Sequence, residues 1–120
     1  MRDRPALREL TPAEVHDALT RHAILLVDVR EPAEYASERI HGAVLFPLSS
    51  FDPTALPIDP ARPVVFQCGS GKRSAVAVAK CLQAGIPAHM HLKGGLLAWK
   101  AAKHPTVTLD AATGGVIDRR

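Results

Sequence analysis

The stretch Val64–Ala75, VVFQCGSGKRSA, carries three kinds of local signal in a dozen residues. Pro63 precedes a short apolar run, Val64-Val65-Phe66-Gln67, whose length and composition suit a buried strand. Two glycines and a serine then interrupt the pattern. From Ser74 to Gly85 the spacing predicts a helix, with Ala75, Val78, Ala79 and Leu82 on one face and Gly85 as terminator. Strand, tight turn and helix in that order form the unit from which parallel α/β sheets are built. Cys68 then stands at the carboxyl end of its strand, the edge where such sheets bind ligands.

The rest of the chain extends this alternation. LTPAEVHDALTRH predicts a helix with Thr11 as N-cap, Pro12 at the first helical position and Glu14 closing a capping box. Val15, Ala18, Leu19 and His22 share one of its faces. AILLVDV, Ala23 to Val29, is a continuous apolar run of the kind found in strands covered on both sides. EPAEYASER predicts a short helix near Pro32, and GAVLFPL a second strand stopped by Pro47. Ser49–Pro63 reads as a surface loop with room for one helical turn. PVVFQ and AHMHL supply further strands, and GGLLAWKAAK a last helix ending near His104-Pro105, with Trp99 packing it onto the sheet. The expectation is one α/β domain over residues 1–104 and a tail, 105–120, with weak signals and no assigned role.

Composition narrows the function. The chain has 120 residues, 47% of them hydrophobic, enough for one domain with a real core. A net charge of +3 with no Lys/Arg block, and only three Phe, one Tyr and one Trp, argue against a nucleic-acid partner. No apolar stretch approaches the roughly 20 residues of a membrane span. The N-terminal MRDRPALREL lacks the apolar core of a secretory signal. Cys68 and Cys81 are too few for a disulfide framework and lack the paired spacing of a zinc site. His89 and His91 alternate along a strand with no third ligand evident. The expectation is a cytoplasmic protein with reduced thiols, no metal, no cofactor and no membrane partner.

The chemistry sits in the turn Gly69–Arg73. Glycines at 69 and 71 free the backbone to take positive φ and aim successive N–H groups at one point. A helix starting at Ser74 adds its unsatisfied N–H groups and its dipole, while Lys72 and Arg73 add formal charge. Such surroundings favour the thiolate of Cys68, which is the nucleophilic form. A lone buried cysteine is more often a small hydrophobe, and a glycine-rich turn often serves packing alone. Cysteine, glycine, lysine and arginine in this order after a buried strand favour the other reading: attack by Cys68 on an anionic electrophile, with the loop holding the negative charge.

With these residues in view, the sequence resembles the rhodanese (sulfurtransferase) domain. CGSGKRS is similar to that family's active-site loop, a cysteine, four residues, an arginine and a serine opening a helix. The upstream segment matches at Asp28-Val29-Arg30, Glu34-Tyr35 and Gly42-Ala43, and the C-terminal segment at Gly94-Gly95 and Ala98-Trp99. The resemblance spans roughly Leu7 to Lys103. It implies a five-stranded parallel sheet flanked by helices on both faces, and a persulfide mechanism. Cys68 would take a sulfane sulfur from a small anionic donor such as thiosulfate and pass it to cyanide or a thiol, a protein thiol included. The backbone of Gly69, Ser70, Gly71, Lys72 and Arg73, followed by Ser74, would cradle the persulfide, and Lys72 and Arg73 would attract the donor. Cysteine-type phosphatases and arsenate reductases place five residues between Cys and Arg; four make a narrower ring, suited to sulfur rather than a tetrahedral phosphate. Mercaptopyruvate sulfurtransferases share Cys-Gly-Ser-Gly but continue with Val-Thr, and two cations suit a doubly charged donor better. A rival within the resemblance is a sulfur-relay or binding module serving a protein partner. The family's histidine, three residues before the glycine matched by Gly42, is displaced by two positions to His41, so His41 receives no catalytic role.

Two supporting positions follow. Asp28 ends a strand near the edge that carries Cys68; it orients the loop, pairs with an arginine, or caps the helix that follows. Arg30 and Glu34, four apart, are spaced to pair locally. Cys81 lies seven residues along the helix from Ser74, about 10 Å of axis, and reads as core.

Overall fold

In the computed structural model, which describes residues 6–118, the chain opens with a strand that its sequence pattern does not announce, Arg8–Leu10 (β1). The outer ends of the expected domain and tail, residues 1–5 and 119–120, lie outside the described residues. Helix α1, Pro12–Thr20, starts as its sequence directs. The Glu14 N–H donates to Thr11 Oγ1 at 3.2 Å, and the Thr11 N–H to Glu14 Oε1 at 2.9 Å. Val15 and Ala18 form its buried face, whereas His22 lies past the helix end, exposed at φ 55°.

Strand β2 (Leu25–Asp28) leads into α2 (Pro32–Ser37), the two-residue strands β3 (Glu38–Arg39) and β4 (Val44–Leu45), and two 3-10 turns at Leu48–Ser50 and Pro53–Ala55. These turns occupy the expected surface loop. Strand β5 (Val64–Gln67), helix α3 (Lys72–Gln83), strand β6 (Met90–Leu92) and helix α4 (Gly95–Ala101) complete the alternation. Five strands, in the order β1-β6-β5-β2-β4, form one sheet in which every neighbouring pair is parallel.

Alternation along the central strands splits the core in two. Leu26 and Val65 face α1 and α4, packing with Val15, Leu96 and Trp99. Val27, Val64 and Phe66 face α3, packing with Ala77, Val78 and Cys81. Both sides of β2 and β5 are therefore covered, which is why their sequences are apolar without interruption.

Two expectations are corrected. Helix α3 begins at Lys72, two residues before Ser74, because Gly71 takes the N-cap position at φ 101°. Its buried stripe is Ser74, Ala77, Val78 and Cys81, and Ala79 is exposed. Several alanines leave the stripe ambiguous in sequence; the turn that delivers the helix onto the sheet sets its rotation. The expected tail also carries two strands, one of which pairs with the domain. Strand β7 (Val107–Leu109) pairs antiparallel with β3 and with β8 (Val116–Asp118) in a second, three-stranded sheet. Trp99, fully buried, donates its indole N–H to the Pro105 carbonyl at 2.8 Å.

Candidate active site

The crossing from β5 to α3 turns the backbone around one sulfur atom. The N–H of Gly71 points at Cys68 Sγ from 3.1 Å and that of Ser74 from 3.3 Å, and the Ser74 hydroxyl oxygen lies 3.5 Å away. Gly71 requires its missing side chain, since φ 101° is strained for other residues. Gly69 does not take positive φ, contrary to expectation; its value is space, because a Cβ there would stand 3.3 Å from Arg73 Nη2. Lys72 and Arg73 belong to the first helical turn rather than to the loop, and no hydrogen bond runs from their backbone to the sulfur among the described residues.

What holds the loop in this shape comes from α4. The Leu96 N–H donates to the Cys68 carbonyl at 2.8 Å, and the Leu97 N–H to the Gly69 carbonyl at 3.0 Å. With carbonyls drawn outward, the loop amides are free to face the sulfur. The approach is close: a Cβ on Gly95 (φ 61°) would lie 2.4 Å from the Cys68 carbonyl oxygen. The Gly94-Gly95 pair, recognised in sequence only as a match, is thus the clamp on the loop.

Cys68 is fully buried. Burial, the largest single influence, pushes its thiol pKa up. Hydrogen bonds from the Ser74 hydroxyl, the Ser74 N–H and the Gly71 and Ser70 N–H groups together outweigh it and bring the pKa below the ordinary thiol value. Cys81, equally buried in the last turn of α3, meets only desolvation and is pushed up to about 11.

Of the alternatives for Asp28 the structure shows the arginine pair, whereas Glu34 pairs differently from expectation. Asp28 caps no helix; it is buried and engages Arg30, whose N–H (2.9 Å) and Nη2 (2.8 Å) both reach its carboxylate. Arg30 does not pair with the Glu34 carboxylate, but its guanidinium also donates to the carbonyls of Glu38 (2.6 Å) and Glu34 (3.4 Å), fixing α2 against the strand end. The Glu34 carboxylate instead receives Arg73 in a two-point pair, at 2.7 and 3.0 Å. That pairing, above all, brings the Glu34 carboxyl down to about 2. Much of the Arg73 charge is therefore spoken for. Lys72 is exposed, with no hydrogen bond or ion pair among the described residues.

Sequence reasoning missed two further residues, which connect to the sulfur through Ser74. His91, on β6, is buried and places Nδ1 2.7 Å from Ser74 Oγ. Glu9, on the unannounced strand β1, meets His91 Nε2 at 3.0 Å. The only signal was a polar residue alternating with Met90 and Leu92, and alternation alone does not say which face looks at the cysteine. His41, exposed at a turn, pairs with Asp118 at 3.0 Å. Among the described residues no helix is long and apolar enough to cross a membrane, and no group of three or more His, Cys, Asp or Glu is arranged to hold a metal.

Comparison with known proteins places this geometry. A family model described as the Rhodanese-like domain matches residues 11–102. The chain is 41% identical over 98 residues to an uncharacterized protein of Synechocystis sp., covering 82% of this chain and 55% of that protein. It is 36% identical over 105 residues to the probable adenylyltransferase/sulfurtransferase MoeZ of Mycobacterium tuberculosis (83% and 26%). It is 40% identical over 81 residues to a sulfurtransferase of Allochromatium vinosum (68% and 74%). The chain thus spans about half of the first of these proteins and about a quarter of the second. Among solved structures, a rhodanese-related protein from Thermoplasma volcanium superposes with a TM-score of 0.73 at 27% identity, covering 83% of this chain and 97% of that one. A thiosulfate sulfurtransferase from Pseudomonas aeruginosa gives 0.74 at 27% identity, covering 83% and 20%.

Proposed function

The chain belongs to the rhodanese-like domain family, and from that premise we propose that it is a sulfurtransferase carrying sulfur as a persulfide on Cys68. The observation that carries the reading is the convergence of the Gly71 and Ser74 N–H groups on Cys68 Sγ. The thiolate attacks the outer sulfur of a sulfane donor. The donor's S–S bond breaks, and its electron pair leaves with the departing group, sulfite when the donor is thiosulfate. The new S–S bond extends the side chain by about 2 Å. Because Cys68 itself is fully buried, the atom offered to an acceptor is the outer sulfur. An acceptor thiolate or cyanide takes that sulfur, and the pair returns to Cys68 as thiolate, held by the same N–H groups.

Thiosulfate is the proposed donor. Its attraction draws on exposed Lys72, on the loop amides and on Arg73, which also neutralises Glu34. The likeness to MoeZ supports a second reading, delivery of sulfur to a thiol on a protein partner. The cytoplasm is the proposed compartment, since both cysteines are free and the chemistry needs a reduced thiol.

The test is to mix the protein with thiosulfate and weigh it. The expected result is a mass gain of one sulfur atom, lost on adding cyanide with release of thiocyanate, and absent in Cys68→Ala. No adduct and no thiocyanate would overturn the thiosulfate reading; charging by a persulfide-bearing protein instead would establish the relay.

A further inference from the structure

Four side chains from four segments form one unbroken line. Cys68 Sγ is 3.5 Å from Ser74 Oγ, Ser74 Oγ is 2.7 Å from His91 Nδ1, and His91 Nε2 is 3.0 Å from Glu9 Oε2. Cys68 directly follows β5, Ser74 lies in the first turn of α3, His91 lies on β6 and Glu9 on β1. The three inner members are fully or almost fully buried, and only Glu9 is half exposed. A histidine placed there for packing alone would not need both ring nitrogens occupied along a path that ends on the nucleophile.

Hydrogen-bond polarity dictates how the line works. The Glu9 carboxylate accepts, so the proton of neutral His91 sits on Nε2 and Nδ1 is an acceptor. The Ser74 hydroxyl then donates to Nδ1, and its oxygen accepts from the Cys68 S–H. Moving the thiol proton to Ser74 Oγ while the hydroxyl proton passes to Nδ1 reverses both bonds. The product is a Cys68 thiolate accepting from Ser74, which accepts from a His91 imidazolium whose Nε2–H still faces Glu9. One proton has gone from sulfur to nitrogen and no electrons have been exchanged. Among the described residues, the Gly71 carbonyl, 3.2 Å from Ser74 Oγ, is the hydroxyl's only other acceptor.

We propose that Glu9, His91 and Ser74 form a proton relay that withdraws the proton from Cys68 and stabilises its thiolate. The proposal rests on the reading of Cys68 as the sulfur-carrying nucleophile. Ser74 touches the sulfur; His91 acts through Ser74 and Glu9 through His91, so both are positioning residues. The charged and titratable groups facing the line are Glu9 from β1, Cys68 from the end of β5 and, from α3, Arg73, whose guanidinium is turned to Glu34 of α2. The relay would deliver the thiolate at neutral pH and receive it again, by the same hydrogen bonds, each time sulfur leaves.

The test titrates the Cys68 thiolate by its ultraviolet absorbance, with Cys68→Ala as the blank, so that it needs neither a donor nor access to the sulfur. In His91→Gln the side chain can hydrogen-bond Ser74 but cannot take a proton. The expected result is a thiolate titration moved up by about one unit, a roughly tenfold smaller thiolate fraction on the acid side. Sulfur transfer should fall by a similar factor near neutral pH and recover at high pH, with KM for thiosulfate little changed. Should His91→Gln not fold, two other measurements decide. The NMR titration of His91 should move down in Cys68→Ala, since an interacting pair titrates together. Glu9→Gln, at a half-exposed position, should shift the thiolate titration upward by a smaller amount. An unchanged Cys68 titration in His91→Gln, or an unchanged His91 titration in Cys68→Ala, overturns the relay. A protein that takes no sulfur from thiosulfate but shows these coupled titrations keeps the relay and loses the donor.

Discussion

Cys68 and Cys81 are thirteen residues apart, both without solvent exposure, and both in the apolar cluster on the α3 side of the sheet. Their acidities nevertheless move in opposite directions. The difference lies in what surrounds each sulfur. At Cys81 the backbone amides are already spent within α3, so burial acts alone and holds the proton on. At Cys68 the same helix has just begun, its first N–H groups have no partner within the helix, and the loop turns two of them onto the sulfur. Burial does not decide the character of a thiol; the supply of free donors does.

The sharpest way to break this contrast is competitive alkylation with a small reagent at pH 8, read by mass spectrometry of each cysteine peptide. With Cys81 near 11 and Cys68 below its ordinary 9.0, thiolate populations alone predict Cys68 reacting more than about a hundredfold faster. Equal rates would refute the contrast.

Next in size is the clamp. Gly95→Ala forces a methyl group toward the Cys68 carbonyl at a backbone angle that disfavours a side chain. It should cost about 2–4 kcal/mol of stability in denaturant unfolding, from strain and overpacking. Where the protein still folds, transfer should drop at least about tenfold as the amides lose their aim. Wild-type behaviour would show that the loop holds its shape without α4.

Smaller effects concern the outer charges. Arg73→Ala removes a cation and leaves Glu34 charged beside the site, so KM for thiosulfate should rise several-fold, and more than in Lys72→Ala. The reverse order would mean that Lys72 alone attracts the donor.

Smallest is the acid stability of the Arg73–Glu34 pair. The folded carboxyl lies near 2, below the ordinary 4.5, so its contribution is present above pH 4.5 and is lost as pH falls toward 2. Both side chains are more than a third exposed, so the contribution is about 0–1 kcal/mol. Melting temperatures across that window should fall less steeply in Glu34→Gln; parallel slopes would assign the acid loss elsewhere.

Much of this was legible in the chain itself. The capping box of α1, the uninterrupted apolar runs of β2 and β5, the parallel sheet and the place of Cys68 at a strand end follow from rules that act within a few residues. The gaps have physical causes. Strand β1, Arg-Glu-Leu at a sheet edge, has one buried residue and so no pattern to read. Arg30 and Glu34 are spaced to pair, yet Arg30 takes Asp28 and Glu34 takes Arg73, because spacing lists who can meet, while packing chooses who does. Strands β7 and β8 depend on pairing with β3, whose two residues carry no signal alone.

By itself, then, the sequence determined that a thiol would sit where a strand ends and a helix begins, because glycines, apolar runs and helix starts impose their geometry locally. Only the tertiary structure decided what that thiol would meet. Ser74 turns toward the sheet, His91 arrives 23 residues after Cys68 and Glu9 precedes it by 59, and side chains so far apart become neighbours only when β1, β6 and β5 lie side by side.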